Sequence, residues 1–557
     1  MVDSLSVADR PGPVLRGPGE SVMRGRPGAR RIVLAVACLW LPGMSLSAAE
    51  RPNILLIVAD DLGYSDLGCY GGEIATPNLD RLARQGLRFT QFYNNAICTG
   101  TRASLVTGLY PRQVGLTRLQ RCVTSAEVLR AAGYRTLMAG KWHLAGDPRQ
   151  RGFQKYFGLL TGCCNQFNPG ARRPGEPEPG KKFVGDNQPF AVADRVVKPY
   201  TPSRGFYTTD AFTDSALRFL GESDAKDQPF FLYVAYTVPH YPLHAPPEDI
   251  ARYRGKFLSG WDQLRKKRLE RMKRLGLVDG NLELPPRNRH APAWDDVDDK
   301  NAWDLKMAVY AAMVDRMDRN IGRLLGRLRS TGQEENTLVL FFSDNGPSDE
   351  DRTSTPEIPP GPVESYRTVD LPWANLSNTP FRHFKRWNHE GGISTPLIAR
   401  WPRVIKTGGR ITARVGHVID VMATCVDIAG ATYPKTVGEQ KIPPLEGRSL
   451  LPILSGKAGG DQQRTLYWNQ RALWRAVRRG RWKLVSPDHT YQYNPWRAGR
   501  KGRILRKPPA DLDQLWELYD VQADRTEMNN LAAKHPERVR ELADLYAAWD
   551  RRVTASR

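Results

Sequence analysis

A chain of 557 residues that is 40% hydrophobic and 25% charged has the composition of a globular protein with a sizeable core, which excludes a fibrous repeat and a mainly disordered chain. Its formal net charge of +23 points to an anionic partner: nucleic acid, an acidic membrane surface, or a sulfated or phosphorylated substrate. Seven cysteines in so long a chain are too few for a disulfide scaffold.

Near the start, Arg24, Arg26, Arg30 and Arg31 precede an apolar run, residues 32–41, too short to span a bilayer, and Ser47, Ala48 and Ala49 follow it. This order predicts an export signal within residues 1–49, with translation starting at Met23 and cleavage near Ala49. The mature protein is then expected in the periplasm or secreted, with no stable membrane span. Cys38 leaves with the signal. The scattered Cys69, Cys122, Cys163, Cys164 and Cys425 form no metal-type spacing, and an exported protein allows one disulfide whose pairing the spacing leaves open.

Residues 53–59 (NILLIVA) form a continuous apolar, β-branched run, as expected of a strand buried on both faces of a parallel sheet. Residues 230–235 (FFLYVA) and 337–342 (TLVLFF) are of the same kind. Between these two, Met307, Tyr310, Val314, Met317, Ile321, Leu324 and Leu328 recur at helical spacing. Helix alternating with buried strand predicts an α/β fold: a large mixed, mostly parallel sheet sandwiched by helices, over residues 50–430. Residues 165–200, rich in Pro, Gly and Lys, read as a long surface excursion. From about Gly430 short strand candidates follow at 466–468, 472–477, 482–485 and 516–519, then an amphipathic helix over 536–549. They predict a smaller C-terminal α+β subdomain, residues 431–557. The basic run 265–274 (RKKRLERMKR) lacks interleaved aromatics, so a solvated helix is expected there and no nucleic-acid partner. The basic stretch 475–483 reads as an edge strand with exposed charges.

The first strand ends in Asp60-Asp61-Leu62-Gly63, and the strand ending at Phe342 runs into Ser343-Asp344-Asn345-Gly346. In open α/β sheets ligands bind beyond the carboxyl ends of the strands, so three carboxylates and a carboxamide are expected at one edge. Clustered carboxylates repel one another unless a cation sits among them, and oxygen donors suit Ca²⁺ or Mg²⁺ better than zinc. Each motif alone also suits a helix cap or a turn. Cys98-Thr99-Gly100-Thr101-Arg102 reads as a loop entering a helix, with Cys98 and Arg102 on one face. A helix N-terminus and a guanidinium favour an anion at the cysteine; a buried cysteine beside a solvated arginine has the same spacing.

Taken together, RPNILLIVADDLGYSDLGCYGG, TPNLDRLARQGLRFTQFY, CTGTRASLVTGLYP, AGYRTLMAGKWHL, FFLYVAYTVPHYPLHAP, LVLFFSDNG and NTPFRHFKRWNHEGGISTPLIARWP resemble, in order, the formylglycine-dependent (type I) sulfatases. These are the arylsulfatase-A-like branch of the alkaline-phosphatase superfamily, and the tail around WELYDVQADRTEMNNLAAKHPERVRELA is similar to their C-terminal subdomain. The resemblance implies a sulfuric ester hydrolase acting on sulfate monoesters of a small molecule or glycan, aryl or, by preference, carbohydrate. It implies that a formylglycine-generating maturase converts Cys98 to formylglycine (3-oxoalanine). Asp60, Asp61, Asp344 and Asn345, with the converted Cys98, would hold one Ca²⁺, and Arg102 would steady the formylglycine. Lys141 and His143 would face the same centre, and His240 and Lys385 would complete the pocket.

Such a site must neutralise an anion, supply an oxygen nucleophile and protonate a departing alkoxide. The cations Ca²⁺, Arg102, Lys141 and Lys385 would serve the first need and the hydrated aldehyde the second. His240 or Lys385 would protonate the leaving oxygen, and His143 would take the proton of the second hydroxyl. The sequence departs from the family pattern at Gly100, where proline or alanine is usual; the more permissive backbone bears on how a maturase reads this segment. A phosphoester or phosphonate-ester hydrolase of the same superfamily, or an inactive sulfated-glycan-binding homologue with unconverted Cys98, are the alternatives.

Overall fold

The continuous apolar runs become the central strands of one sheet. The computed structural model describes residues 51–222, 228–457, 463–470, 474–487 and 515–555. The expected export signal, residues 1–49 with its start at Met23, lies outside the described residues. In chain order the sheet contains β1 (Asn53–Asp60), β2 (Leu87–Tyr93), β3 (Arg135–Gly140), β4 (Lys155–Leu159), β5 (Phe190–Val192), β6 (Arg195–Val197), β7 (Phe230–Pro239), β8 (Thr337–Ser343), β9 (Ser394–Arg400), β10 (Arg410–Thr412) and β11 (Gly416–His417). Its spatial order is β10-β2-β9-β8-β1-β7-β3-β4-β5-β6, with β11 also on β2. The run β8-β1-β7-β3-β4 is parallel, β9 is antiparallel to both neighbours, and β4-β5-β6 is antiparallel. This is the expected mixed, mostly parallel sheet.

Side chains of a strand alternate between faces, so a strand with helices on both sides must be apolar throughout. β1 shows this directly. Leu55, Ile57 and Ala59 enter one core, shared with Met307, Tyr310, Val314 and Ile321 of the helix Lys300–Ser330. Ile54, Leu56 and Val58 enter the other, shared with Ala103 and Val106 of the helix Cys98–Thr107. Registers Ala59↔Ser343 and Asp60↔Pro239 end β1, β8 and β7 at one level, and Gly140↔Ala235 brings β3 to the same edge. The residues that follow these strands therefore emerge together.

A four-stranded antiparallel sheet, Thr465–Gln470, Trp474–Arg479, Trp482–Val485 and Glu517–Asp520, follows near the C-terminus. The helix Pro536–Ala555 buries Leu542, Tyr546, Trp549 and Val553 in a core shared with Leu466, Val477 and Leu518 of this sheet.

Three sequence expectations change. Residues 165–200 are not merely a surface excursion, because β5 and β6 extend the main sheet and Phe190 is fully buried. The basic run lies in a helix, Gly260–Arg274, but is not simply solvated. Arg268 is fully buried and bonds Asp66 at 2.8 Å and Glu73 at 2.8 and 2.9 Å, and Arg265 is buried too. Carboxylates distant in sequence make that burial tolerable. Trp474–Arg479 is paired on both sides, so it is an interior strand rather than an edge. Its Arg478 reaches Tyr93 and Gln91 of β2, while Lys483 of the next strand bonds Glu390 Oε1 at 3.0 Å and Glu527 Oε1 at 2.8 Å. Replacing Lys483 by methionine leaves buried Glu527 without its cation and Glu390 with Arg525, at 2.8 Å, and is expected to cost about 3–5 kcal/mol of stability, read as a lower urea midpoint. An unchanged midpoint would contradict that role.

The six described cysteines are all free, so no disulfide forms among them. No described helix is long and apolar enough to cross a membrane.

Candidate functional site

The strand ends assemble the site. At the end of β1 the chain turns through Asp61, whose φ of 63° is left-handed, and passes so close to the end of the helix Asp370–Ser377 that a Cβ on Gly63 would lie 2.3 Å from the Ser377 carbonyl oxygen. Asp344 leaves β8 alongside, its N–H donating to Ala59 O at 3.1 Å. Asp60, Asp61, Asp344 and Asn345 are all buried, with at most 2% of their surface exposed.

Each carboxylate has its own cation. Lys141, directly after β3, places Nζ 2.6 Å from Asp60 Oδ2. Lys385 places Nζ 2.7 and 2.9 Å from the two oxygens of Asp61. Arg102 donates from Nε and Nη2 to Asp344 Oδ2 at 3.0 and 2.8 Å. Asn345 Nδ2 donates to Asp61 Oδ1 at 2.5 Å, and the Asp61 N–H lies 3.4 Å from Asp344 Oδ1. Burial pushes Asp60 up to about 7 against the pull of Lys141, with Asp344 and Asp61 adding to the rise. Asp61 is held well below its usual range although burial opposes this, because Lys385, which also bonds it, and Lys141 surround it. One Asp60 oxygen and the Asn345 carbonyl oxygen are buried without a hydrogen-bond partner.

Cys98 is the first residue of its helix, follows extended Ile97 and is 5% exposed. The helix end adds partial positive charge there. Burial pushes the thiol up, while Lys141 and Lys385 act in the opposite direction. His143 sits in the left-handed region at φ 56°, and its ring packs on Gly162, where a Cβ would lie 2.6 Å from Cε1. Burial, then Lys141, Arg102 and Lys385, keep His143 neutral, and its Nδ1 has no partner. His240 follows β7. Its Nδ1 is 2.6 Å from Tyr241 O, which fixes the proton on Nδ1, and its Nε2 is 3.5 Å from Asp61 Oδ2. Burial keeps His240 neutral as well, so that last contact is not an ion pair. Ligand atoms of Asp60, Asp61 and His240 lie within 4.8 Å of one another.

The ten residues singled out in the sequence thus come together, nine of them buried and His143 half-buried. Arg102 donates to Asp344, to Lys141 O at 2.9 Å and to Tyr233 Oη at 3.2 Å. Two further residues had weaker signals. Tyr233 is the one hydroxyl in the apolar segment 230–235. Glu350 is a buried carboxylate that accepts from Tyr241 Oη at 3.0 Å and Arg352 Nε at 2.7 Å and pairs with Arg386; its only sign in the sequence is an acidic run just after Gly346.

Burial has a consequence for stability. His143, His240, His383 and His389 are pushed well below their ordinary value, His244 to about 4 and His417 to about 3, each chiefly by burial. Unfolded, they titrate near 6.5, so below that pH the unfolded chain binds more protons and stability is lost as pH falls. Asp60 and Glu527, both raised to about 7, Asp318, raised to about 6, and Asp370, raised as well, each chiefly by burial, oppose this, four groups against six. The urea midpoint is therefore expected to be higher at pH 7 than at pH 5, and equal midpoints would contradict the burial of neutral imidazoles.

Comparison with known proteins agrees with this architecture. The sulfatase family profile matches residues 52–431, and that of the N-sulphoglucosamine sulphohydrolase C-terminal region matches residues 381–494. The chain is 32% identical to an uncharacterized sulfatase of Schizosaccharomyces pombe, over 90% of this chain and 94% of that one. It is also 32% identical to an arylsulfatase of Klebsiella aerogenes, over 77% and 97%. The crystal structure of Ps i-CgsB in complex with k-i-k-neocarrahexaose has the same fold, with a TM-score of 0.63 at 24% identity over 90% of this chain and 92% of that one. A profile spanning most of the chain and relatives matched nearly end to end leave one conclusion: the chain belongs to the sulfatase family and is a sulfuric ester hydrolase.

Proposed function

We propose that this enzyme hydrolyses sulfate monoesters of carbohydrates, using a formylglycine made from Cys98 by a maturase and one bound Ca²⁺. The observation that carries the reading is Cys98 at a helix start, buried between Lys141 and Lys385 and beside paired carboxylates. Two similar proteins favour a sugar substrate. One is an N-acetylglucosamine-6-O-sulfatase of Bacteroides thetaiotaomicron, 27% identical over 94% of this chain. The other, sharing the fold at a TM-score of 0.59, was crystallised with its substrate D-glucosamine-2-N,6-O-disulfate.

The donor set fits a hard divalent cation. Asp60, Asp61, Asp344 and Asn345 offer oxygen, and the partnerless oxygens of Asp60 and Asn345 are what such an ion would satisfy. Bound there with formylglycine, the ion would supply Lewis-acid polarisation and the hydrated aldehyde an oxygen nucleophile. The rest is work for the chain itself. Lys141, Lys385 and Arg102, all buried, hold fixed positive charge around the sulfate. His143, neutral and with a partnerless nitrogen, is suited to accept a proton. Of the two candidate acids, Lys385 carries the proton: Asp61 holds it charged against the effect of burial, whereas His240 is neutral. Lys385 therefore donates to the leaving oxygen, and neutral His240, with Nε2 as an acceptor, helps to orient the substrate.

We also propose export to the periplasm or outside the cell, on the strength of residues 24–49, and a division into a catalytic domain, residues 50–430, and a C-terminal subdomain, residues 431–557. The function is tested by kcat/KM on matched sulfate and phosphate monoesters and on sulfated saccharides. Sulfate esters are expected to be the better substrates, with sulfated saccharides ahead of an aryl sulfate. Faster phosphate or phosphonate ester hydrolysis would overturn the proposal in favour of its superfamily relatives.

A further inference from the structure

A second cationic pocket, of about 210 Å³, opens between the helix Gly260–Arg274, the 285–289 segment and the 381–383 segment. None of the ten residues of the catalytic cluster lines it. Four arginines do, Arg265, Arg287, Arg289 and Arg382, together with His383, and no carboxylate is among its lining residues.

Arg265 and Arg268 occupy the same helix three residues apart and are 3% and 0% exposed. Arg268 has the carboxylates of Asp66 and Glu73. Arg265 has none within ion-pair distance among the described residues: Nη2 donates to the Pro285 carbonyl at 2.9 Å, and Nε is buried with no partner. Burial and the neighbouring Arg287 both act against its charge, while Asp262, which favours it, is bonded at 2.7 Å by Arg287. Arg382 donates to the Glu527 backbone carbonyl at 2.6 Å and pairs with no carboxylate among the described residues. His383 is 4% exposed, its ring stacks on Trp387 at 4.1 Å, and neither ring nitrogen has a hydrogen-bond partner. A buried guanidinium without a carboxylate is costly unless an anion completes it.

We propose that this pocket binds a tetrahedral dianion: sulfate itself, or a sulfo group carried on a saccharide. The guanidiniums of Arg265 and Arg382 line the cavity from separate segments, which suits an acceptor with oxygens in several directions, and a guanidinium fork matches two oxygens of one such group. The volume leaves room for part of a sugar ring beside the sulfo group. The sulfo-group source rests on the proposed function; the dianion site does not.

Crystals of the full chain soaked in sodium selenate test this by anomalous scattering, with sodium selenate titration calorimetry on the same protein. Selenate is expected between Arg265 and Arg382. R265M is expected to lose that site, and R382Q to bind about tenfold or more weakly, corresponding to one lost charge-assisted hydrogen bond. Turnover of a small aryl sulfate should be unchanged in both variants. If R265M does not fold, R382Q alone decides. Absence of selenate from this pocket, or affinity there unaltered in both variants, would overturn the proposal whatever the state of Cys98. A disulfated heparin disaccharide distinguishes the sources: binding here tighter than selenate assigns the site to a glycan, and equal or weaker binding assigns it to the free anion.

Discussion

Replacing Cys98 by alanine is expected to lower kcat/KM for a sulfate monoester by roughly 10⁴-fold or more, because it removes the nucleophile and leaves only electrostatic binding. The substitution removes one sulfur from a site whose carboxylates are already neutralised by Lys141, Lys385 and Arg102, so the thermal midpoint should stay near that of the parent. Cys98→Ser is the sharper probe. It keeps a side chain of nearly the same size but supplies one hydroxyl where the aldehyde hydrate has two, and His143 then has no second hydroxyl to deprotonate. Turnover close to the parent in either variant would remove Cys98 from the chemistry.

Chelation should have an effect of similar size on activity and a separate one on stability. Three buried carboxylates within one centre are held by three side-chain cations, yet an oxygen of Asp60 and one of Asn345 still lack partners. An ion completing them binds the folded chain alone, so Ca²⁺ at a hundred times its Kd should stabilise by about 2.7 kcal/mol. EGTA followed by dialysis is expected to lower both the thermal midpoint and turnover, and added Ca²⁺ to restore both. A midpoint indifferent to EGTA and to Ca²⁺ would contradict a metal at this edge.

The catalytic edge was legible because the relevant strands are continuous apolar runs that stop at charged residues. Once residues 53–59 and 337–342 are taken as neighbouring parallel strands, Asp60 and Asp344 have to emerge together, and the register Ala59↔Ser343 confirms it. The helix at Cys98 was legible from spacing, as was the shared face with Arg102. What Arg102 touches was not, because Asp344 lies 242 positions away and spacing carries no information about it. The same limit explains the basic segments. Residues 265–274 have the composition of a solvated helix, but Asp66 and Glu73 draw Arg268 inward, and nothing local in the sequence marks Arg265 as buried too. Likewise, alternating charges at 475–483 suit an edge strand equally well until Glu390 and Glu527 are seen to receive Lys483. Charged residues are read as exposed unless their partners are known, and those partners are non-local.

The most direct test is the mass of the tryptic peptide of residues 89–102, which contains Cys98, from protein made in a host with a formylglycine-generating maturase. Conversion predicts a peptide lighter than the thiol form by the difference between SH₂ and O, in proportion to specific activity across preparations. An active preparation whose peptide carries only unmodified cysteine would contradict the mechanism.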